Sequence, residues 1–393
     1  MRKIYFSILF LFLLFQTTYS QSLQLSVYSE ISIVTVGPGD ALYEAFGHSA
    51  IRVKDPVLRM DIVYNYGVFD FNQPNYYYNF TKGKLLYKLG KRPFQNFINY
   101  NNYYKRWMKA QVLNLTQQER QKMYQLLETN ALRENADYLY DPYFNNCATK
   151  LRDITKEVLG NNVQFPTSYS KEVFTLRQLM NHELTWNTWG NFGINVALGN
   201  KLDKEITAEE YMYLPDYVFT AFKAATKNEN GTSVSLIKKE ETILNFKEKV
   251  VKINWYNPFF IFSLLLLIGI VITYKDQKRN KRSKWFDFIV FFITGTIGVF
   301  ITFLWFFTDH KTTPNNFNLL WAFAPNILIS FILLKNNIPV WISKYIKAYL
   351  LILILIPIIW ISGIQQFSLA LIPIIGILFL RNFYLNKLLS SKK

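Results

Sequence analysis

Apolar residues dominate Ile4–Phe15 and return in five later stretches, at 258–274, 286–308, 319–334, 347–363 and 367–384. Runs of this kind predict membrane-spanning helices, although the third and fifth are short for a full crossing. Between them the pattern changes to a period of two, starting within Leu23–Val36 and repeating over Gly47–Val53 and Asp61–Gly67. That period predicts strands, with His48, Ala50 and Arg52 on one face and Ser49, Ile51 and Val53 on the other. Asn65, on the next strand, is placed to face His48. The pattern then becomes helical. Thr116 and Glu119 form a capping box before Met123, Leu126, Leu127 and Ala131. Asn146 is an N-cap before Cys147, Leu151, Ile154 and Val158, and Gly160 supplies the stop.

These elements divide the chain into a leader at 1–20, an α+β domain at 21–225, a charged linker at 226–257 and an all-α membrane domain of about five helices at 258–393. Arg2 and Lys3 precede the first apolar run and Thr18, Tyr19 and Ser20 follow it, which reads as a signal peptide. The formal charge of +17 arises largely from basic residues beside apolar runs, as at 275–284, 335–347 and the C-terminal tail. Such flanking sets membrane orientation and does not point to nucleic acid. It puts the α+β domain outside the cytoplasm and the C-terminus inside. The polar Asp309–Asn316 loop falls on the domain's side, where it is a solvated turn or a contact to lipid headgroups or substrate.

Candidate chemistry centres on Cys147, the only cysteine, and His48, one of three histidines. A lone thiol in an exported domain must be buried or used, because it has no internal disulfide partner. The first turn of a helix favours use: its free amides stabilise a thiolate, and a nearby imidazolium does so further. No His-Glu-x-x-His or Cys-x-x-Cys pattern occurs, so neither a metal nor a cofactor is expected. The aromatic stretch containing Tyr76, Tyr77, Tyr78, Phe80, Tyr87, Tyr103 and Tyr104 suits core and sheet packing, a substrate groove or a surface near lipid headgroups.

The order strand-His, strand-polar, helix-Cys is reversed relative to papain and resembles the permuted, NlpC-type branch of the papain-like fold. Phe46–Arg52, Tyr64–Gly67 and Asn145–Thr149 resemble the motifs of the Lnb-type lipoprotein N-acyltransferase family of Gram-negative bacteria. Leu198–Asp203, Tyr213–Tyr217 and the Asp309–His310 loop are also similar to that family. The resemblance implies an inner-membrane, multi-pass enzyme with a periplasmic catalytic domain. It would take an acyl chain from a phospholipid and pass it to the N-terminal amine of a lipoprotein. Cys147 would be the nucleophile, His48 the base and Asn65 its orienter, with Asn146, Tyr66 and His310 contacting substrate. A peptidoglycan peptidase or amidase, a phospholipase and a non-enzymatic scaffold remain open on the residues alone.

Overall fold

The computed structural model describes residues 23–170, 172–249 and 252–390; the leader expected at 1–20 lies outside them. Seven strands form one antiparallel sheet in the order β10-β5-β1-β2-β3-β4-β6. They are β1 (Glu30–Val36), β2 (His48–Asp55), β3 (Met60–Val68), β4 (Leu86–Pro93), β5 (Met108–Leu113), β6 (Asp137–Leu139) and β10 (Ile237–Leu244). A separate small sheet holds β7 (Val163–Gln164), β8 (Thr226–Glu229) and β9 (Thr232–Ser235). Seven helices belong to this domain: α1 (Tyr76–Thr81), α2 (Phe94–Tyr103), α3 (Gln117–Asn130), α4 (Cys147–Leu159), α5 (Leu176–Glu183), α6 (Trp189–Ala197) and α7 (Pro215–Ala224).

The alternation along β2 sorts its side chains between two cores. Ile51 and Val53 join Leu151, Ile154 and Val158 of α4 on one face. Ala50 joins Val34, Val63, Phe94 and Phe97 on the other. Helices α3 and α7 complete the first layer, and α2 covers the second. The segment at 226–257, expected as a linker, instead supplies three strands. Its β10, with sequence IKKEETIL, pairs with β5 at the sheet edge and is mostly solvent-facing. Charge on both faces hid the strand, because an edge strand has little to bury and gains from charges that deter further pairing.

Among the described residues, four helices are long and apolar enough to cross a membrane: α8 (Pro258–Arg279), α9 (Lys284–Phe306), α11 (Trp341–Ile361) and α12, which runs Ile372–Ser390 after a 3-10 turn. The third expected span is broken into a 3-10 turn at Phe317–Leu320 and the short α10 (Asn326–Leu333). It nevertheless traverses the bundle. At one end, Asn316 Nδ2 donates to Val196 O of the α+β domain over 2.8 Å. At the other, Leu333 O and Lys335 O accept from Arg282, in the turn between α8 and α9. Helix α12 ends away from the sheet domain, where Tyr384 donates to Lys281 O.

The two domains meet through backbone contacts that tolerate no extra atoms. Gly199 N–H donates to Thr312 O over 2.9 Å, and a Cβ on Gly199 would lie 1.9 Å from Pro314 O. Asp309 N–H donates to Lys82 O over 2.8 Å, while a Cβ on Gly83 would lie 2.6 Å from His310 N. Buried Arg177 holds Asp203 at 2.8 Å, and Asp203 also accepts from Gln366 N–H. The Leu198–Asp203 motif is thus the seam between the domains.

Candidate active site

Cys147 opens α4 because Asn146 caps it: Asn146 Oδ1 accepts from the Ala148 and Thr149 N–H groups, both at 2.9 Å. The preceding loop is rigid. Asp141 Oδ1 accepts from the Tyr143 and Phe144 amides, and Asp141 and Asn145 exchange backbone bonds. The cap takes the Ala148 and Thr149 amides, and the first amide of the helix, that of Cys147, has no intrahelical partner. Cys147 is 8% exposed.

His48 begins β2 directly after Gly47, whose φ of +70° and close approach to Val36 O, 2.8 Å from a would-be Cβ, exclude a side chain. Asn65 Oδ1 lies 2.5 Å from His48 Nε2. That bond fixes Nε2 as the protonated donor and leaves Nδ1 for the thiol, with which His48 is also hydrogen-bonded. Arg106, absent from the sequence reading, locks the loop before His48 by donating to Gly37 O at 2.8 Å and to Glu44 at 3.2 Å. Nothing in its local sequence signals this, since both partners come from a distant loop.

Burial opposes charge on both reacting groups. On His48 the opposing effect is outweighed by the Cys147 thiolate and by hydrogen bonds to Cys147 and Asn65, so its pKa is raised. On Cys147 it is outweighed by the His48 imidazolium and by the Ser49 and Ala148 amides, so the thiol pKa is lowered. Each charge is stabilised chiefly by the other, which favours a thiolate–imidazolium pair.

The three remaining sequence candidates are elsewhere engaged. Asn146 is 5% exposed, and its Nδ2 donates to Pro142 O and Tyr213 O, so every polar atom of its amide is committed to the fold. Tyr66 is a core residue, 3% exposed, whose hydroxyl accepts from Asn130. His310 lies in the seam and donates to the Phe80 and Thr81 carbonyls; burial lowers its pKa. None of these three is hydrogen-bonded to the Cys147–His48–Asn65 cluster.

Fold and site together define a membrane-embedded protein with a buried thiol–imidazole–amide constellation on an extramembrane α+β domain. The family model described as the Lnb N-terminal periplasmic domain matches residues 16–182, and that described as the Lnb transmembrane domain matches 250–393. The chain belongs to the Lnb-type lipoprotein N-acyltransferase family. It is accordingly an inner-membrane protein with a periplasmic domain, of a lipoprotein-modifying kind. No curated protein and no solved structure matches it.

Proposed function

We propose that this protein moves an acyl chain from a phospholipid, through a thioester on Cys147, to the α-amine of a lipoprotein's N-terminal cysteine. The observation that carries this is the Cys147–His48–Asn65 cluster, held by a domain that is docked rigidly on a membrane bundle. The Cys147 thiolate attacks the ester carbonyl, forming the S–C bond. Collapse of the tetrahedral adduct breaks the C–O bond, and the departing lysophospholipid oxygen takes a proton from the His48 imidazolium. The lipoprotein amine then attacks the thioester. His48, now neutral, accepts the amine proton as the C–S bond breaks, and the thiolate–imidazolium pair is restored. Asn65 keeps the imidazole in the tautomer that both steps need. The permuted papain-like reading rests on the same order of elements: histidine and asparagine on adjacent strands, cysteine at a later helix start.

A train of rings supports a lipid substrate. Tyr140, beside Cys147, stacks on Tyr87 at 4.4 Å; Tyr87 stacks on Phe69 at 4.9 Å, and Phe69 meets Phe71 at 4.9 Å. Phe71, Tyr77 and Phe80 are exposed around α1, whose C-terminal end docks on the Asp309–His310 loop of the membrane domain. An aromatic surface running from beside the thiol to the membrane side of the domain suits an acyl chain better than a wall peptide. The basic turns at 275–284 and 335–347 and the end of α12 share the bundle end remote from the sheet domain, which supports a cytoplasmic C-terminus. The test is mass spectrometry of lipoprotein N-terminal peptides from cells with the gene, without it, and with Cys147→Ala or His48→Ala. N-acylated peptides should vanish in the last three; unchanged acylation in all would refute the proposal.

A further inference from the structure

Beside Cys147, on the side where β3 ends, the structure leaves a small recess. Gly67 adopts φ +90°, and a Cβ built on it would meet Tyr140 at 3.4 Å, Cys147 Cβ at 3.8 Å and Tyr138 Oη at 3.9 Å. These are ordinary contact distances, so the space that Gly67 leaves open is about the size of a methyl group, bordered by the cysteine on one side and a phenol on another. A β-bulge between Asn65 and Val68 produces it, by breaking the β3–β4 ladder just after the residue that holds His48. The Tyr138 hydroxyl is buried and has no acceptor for its proton among the described residues. Its oxygen faces the Gly67 N–H, and burial, followed by the nearby Cys147 charge, raises its pKa far enough to keep the proton on the phenol. A buried donor without an acceptor is costly, and each one kept by a fold calls for an explanation such as a catalytic role.

We propose that Tyr138 is an oxyanion donor: its hydroxyl, together with the Cys147 N–H, binds the carbonyl oxygen of the acyl group while Cys147 attacks. This rests on the acyl-transfer reading above. The recess borders both Cys147 Cβ and Tyr138 Oη, and the two donors come from different elements, β6 and the start of α4. As the carbonyl becomes an oxyanion, its oxygen accepts from Tyr138 Oη–H and from the Cys147 amide. No proton is transferred, so the His48 bookkeeping is unchanged. Gly67 serves the same step by leaving room for that oxygen.

The experiment uses the full chain in phospholipid-containing micelles and follows acyl mass on Cys147 in a single turnover. Tyr138→Phe should slow acylation about 10²–10³-fold, while Tyr138→Gln, which retains a donor, should lose less. Alkylation of Cys147 by iodoacetamide, which forms no oxyanion, should keep its rate and pH profile in both variants. Tyr138→Phe acylating within threefold of wild type overturns the assignment, as does alkylation falling in step with acylation, which marks a structural role. If thermal unfolding shows that Tyr138→Phe has not folded, Tyr138→Gln decides: a rate as low as that of His48→Ala overturns the assignment, and a higher one upholds it. Wild-type protein that never acquires an acyl group refutes the transferase reading itself, whereas normal wild-type acylation with an unaffected Phe variant refutes only the role of Tyr138.

Discussion

At the residue level, Cys147 and His48 are hydrogen-bonded partners whose acidities are displaced in opposite directions. The thiol's pKa is lowered and the imidazole's raised. The thiolate therefore forms below the ordinary thiol pKa of about 8.5, and the imidazolium persists above the ordinary value of about 6.5. Activity against pH should show its acid limb at the lower displaced position and its basic limb at the higher one. Alkylation of wild-type Cys147 should proceed readily at neutral pH. His48→Ala removes the largest stabilising influence on the thiolate and should cut the neutral-pH alkylation rate at least about tenfold, one pKa unit being tenfold in thiolate. Asn65→Ala removes a hydrogen bond to a charged ring, worth roughly 1.5–3 kcal/mol. It should lower the acylation rate about 10- to 100-fold and leave the fold intact. That His48, Asn65 and Cys147 would meet was legible in the sequence, because a strand period and a helix start fix where each side chain points. Arg106 and Tyr138 were not, because their roles come from partners that only the sheet brings together.

Among the elements, α4 and the seam carry the most weight. Asn146 was read as both N-cap and substrate contact; the cap is present, and its bonds to Pro142 and Tyr213 occupy the rest of the amide. Asn146→Ala should destabilise the domain by about 1–2 kcal/mol, seen in thermal unfolding, and raise the pH at which Cys147 alkylates. The helix itself was readable from its apolar spacing, and α3 from its capping box, whereas β10 was not. Its Lys and Glu residues carry no burial signal, and only the free edge of β5 makes it a strand. The broken third span was legible as a short apolar run. What sequence does not reveal is why it can be broken: Asn316, Asn318 and Gln365 are buried and hydrogen-bonded at its start, so irregular backbone there is satisfied by protein.

Across the whole molecule, the seam fixes the sheet domain on the bundle, so the dyad's position relative to the bilayer is set by backbone contacts and not by a tether. Gly199→Ala would place a methyl into Pro314 O and should cost about 1–3 kcal/mol of overpacking. The expected result is faster protease cleavage within 245–257 and slower acyl transfer from bilayers. Transfer from a short-chain soluble ester should be unaffected. The placement of Leu198–Asp203 in this seam explains why that motif accompanies the Cys and His motifs in one chain although it touches neither residue. If Cys147 carries the acyl group between lipid and amine, the acylated enzyme can be trapped. Purified full-length protein, mixed with phospholipid and quenched in acid, should yield a Cys147 peptide heavier by one acyl chain. Adding a lipopeptide with a free N-terminal amine should discharge that mass onto the lipopeptide. N-acylation of the lipopeptide by Cys147→Ala protein at the wild-type rate would contradict the account.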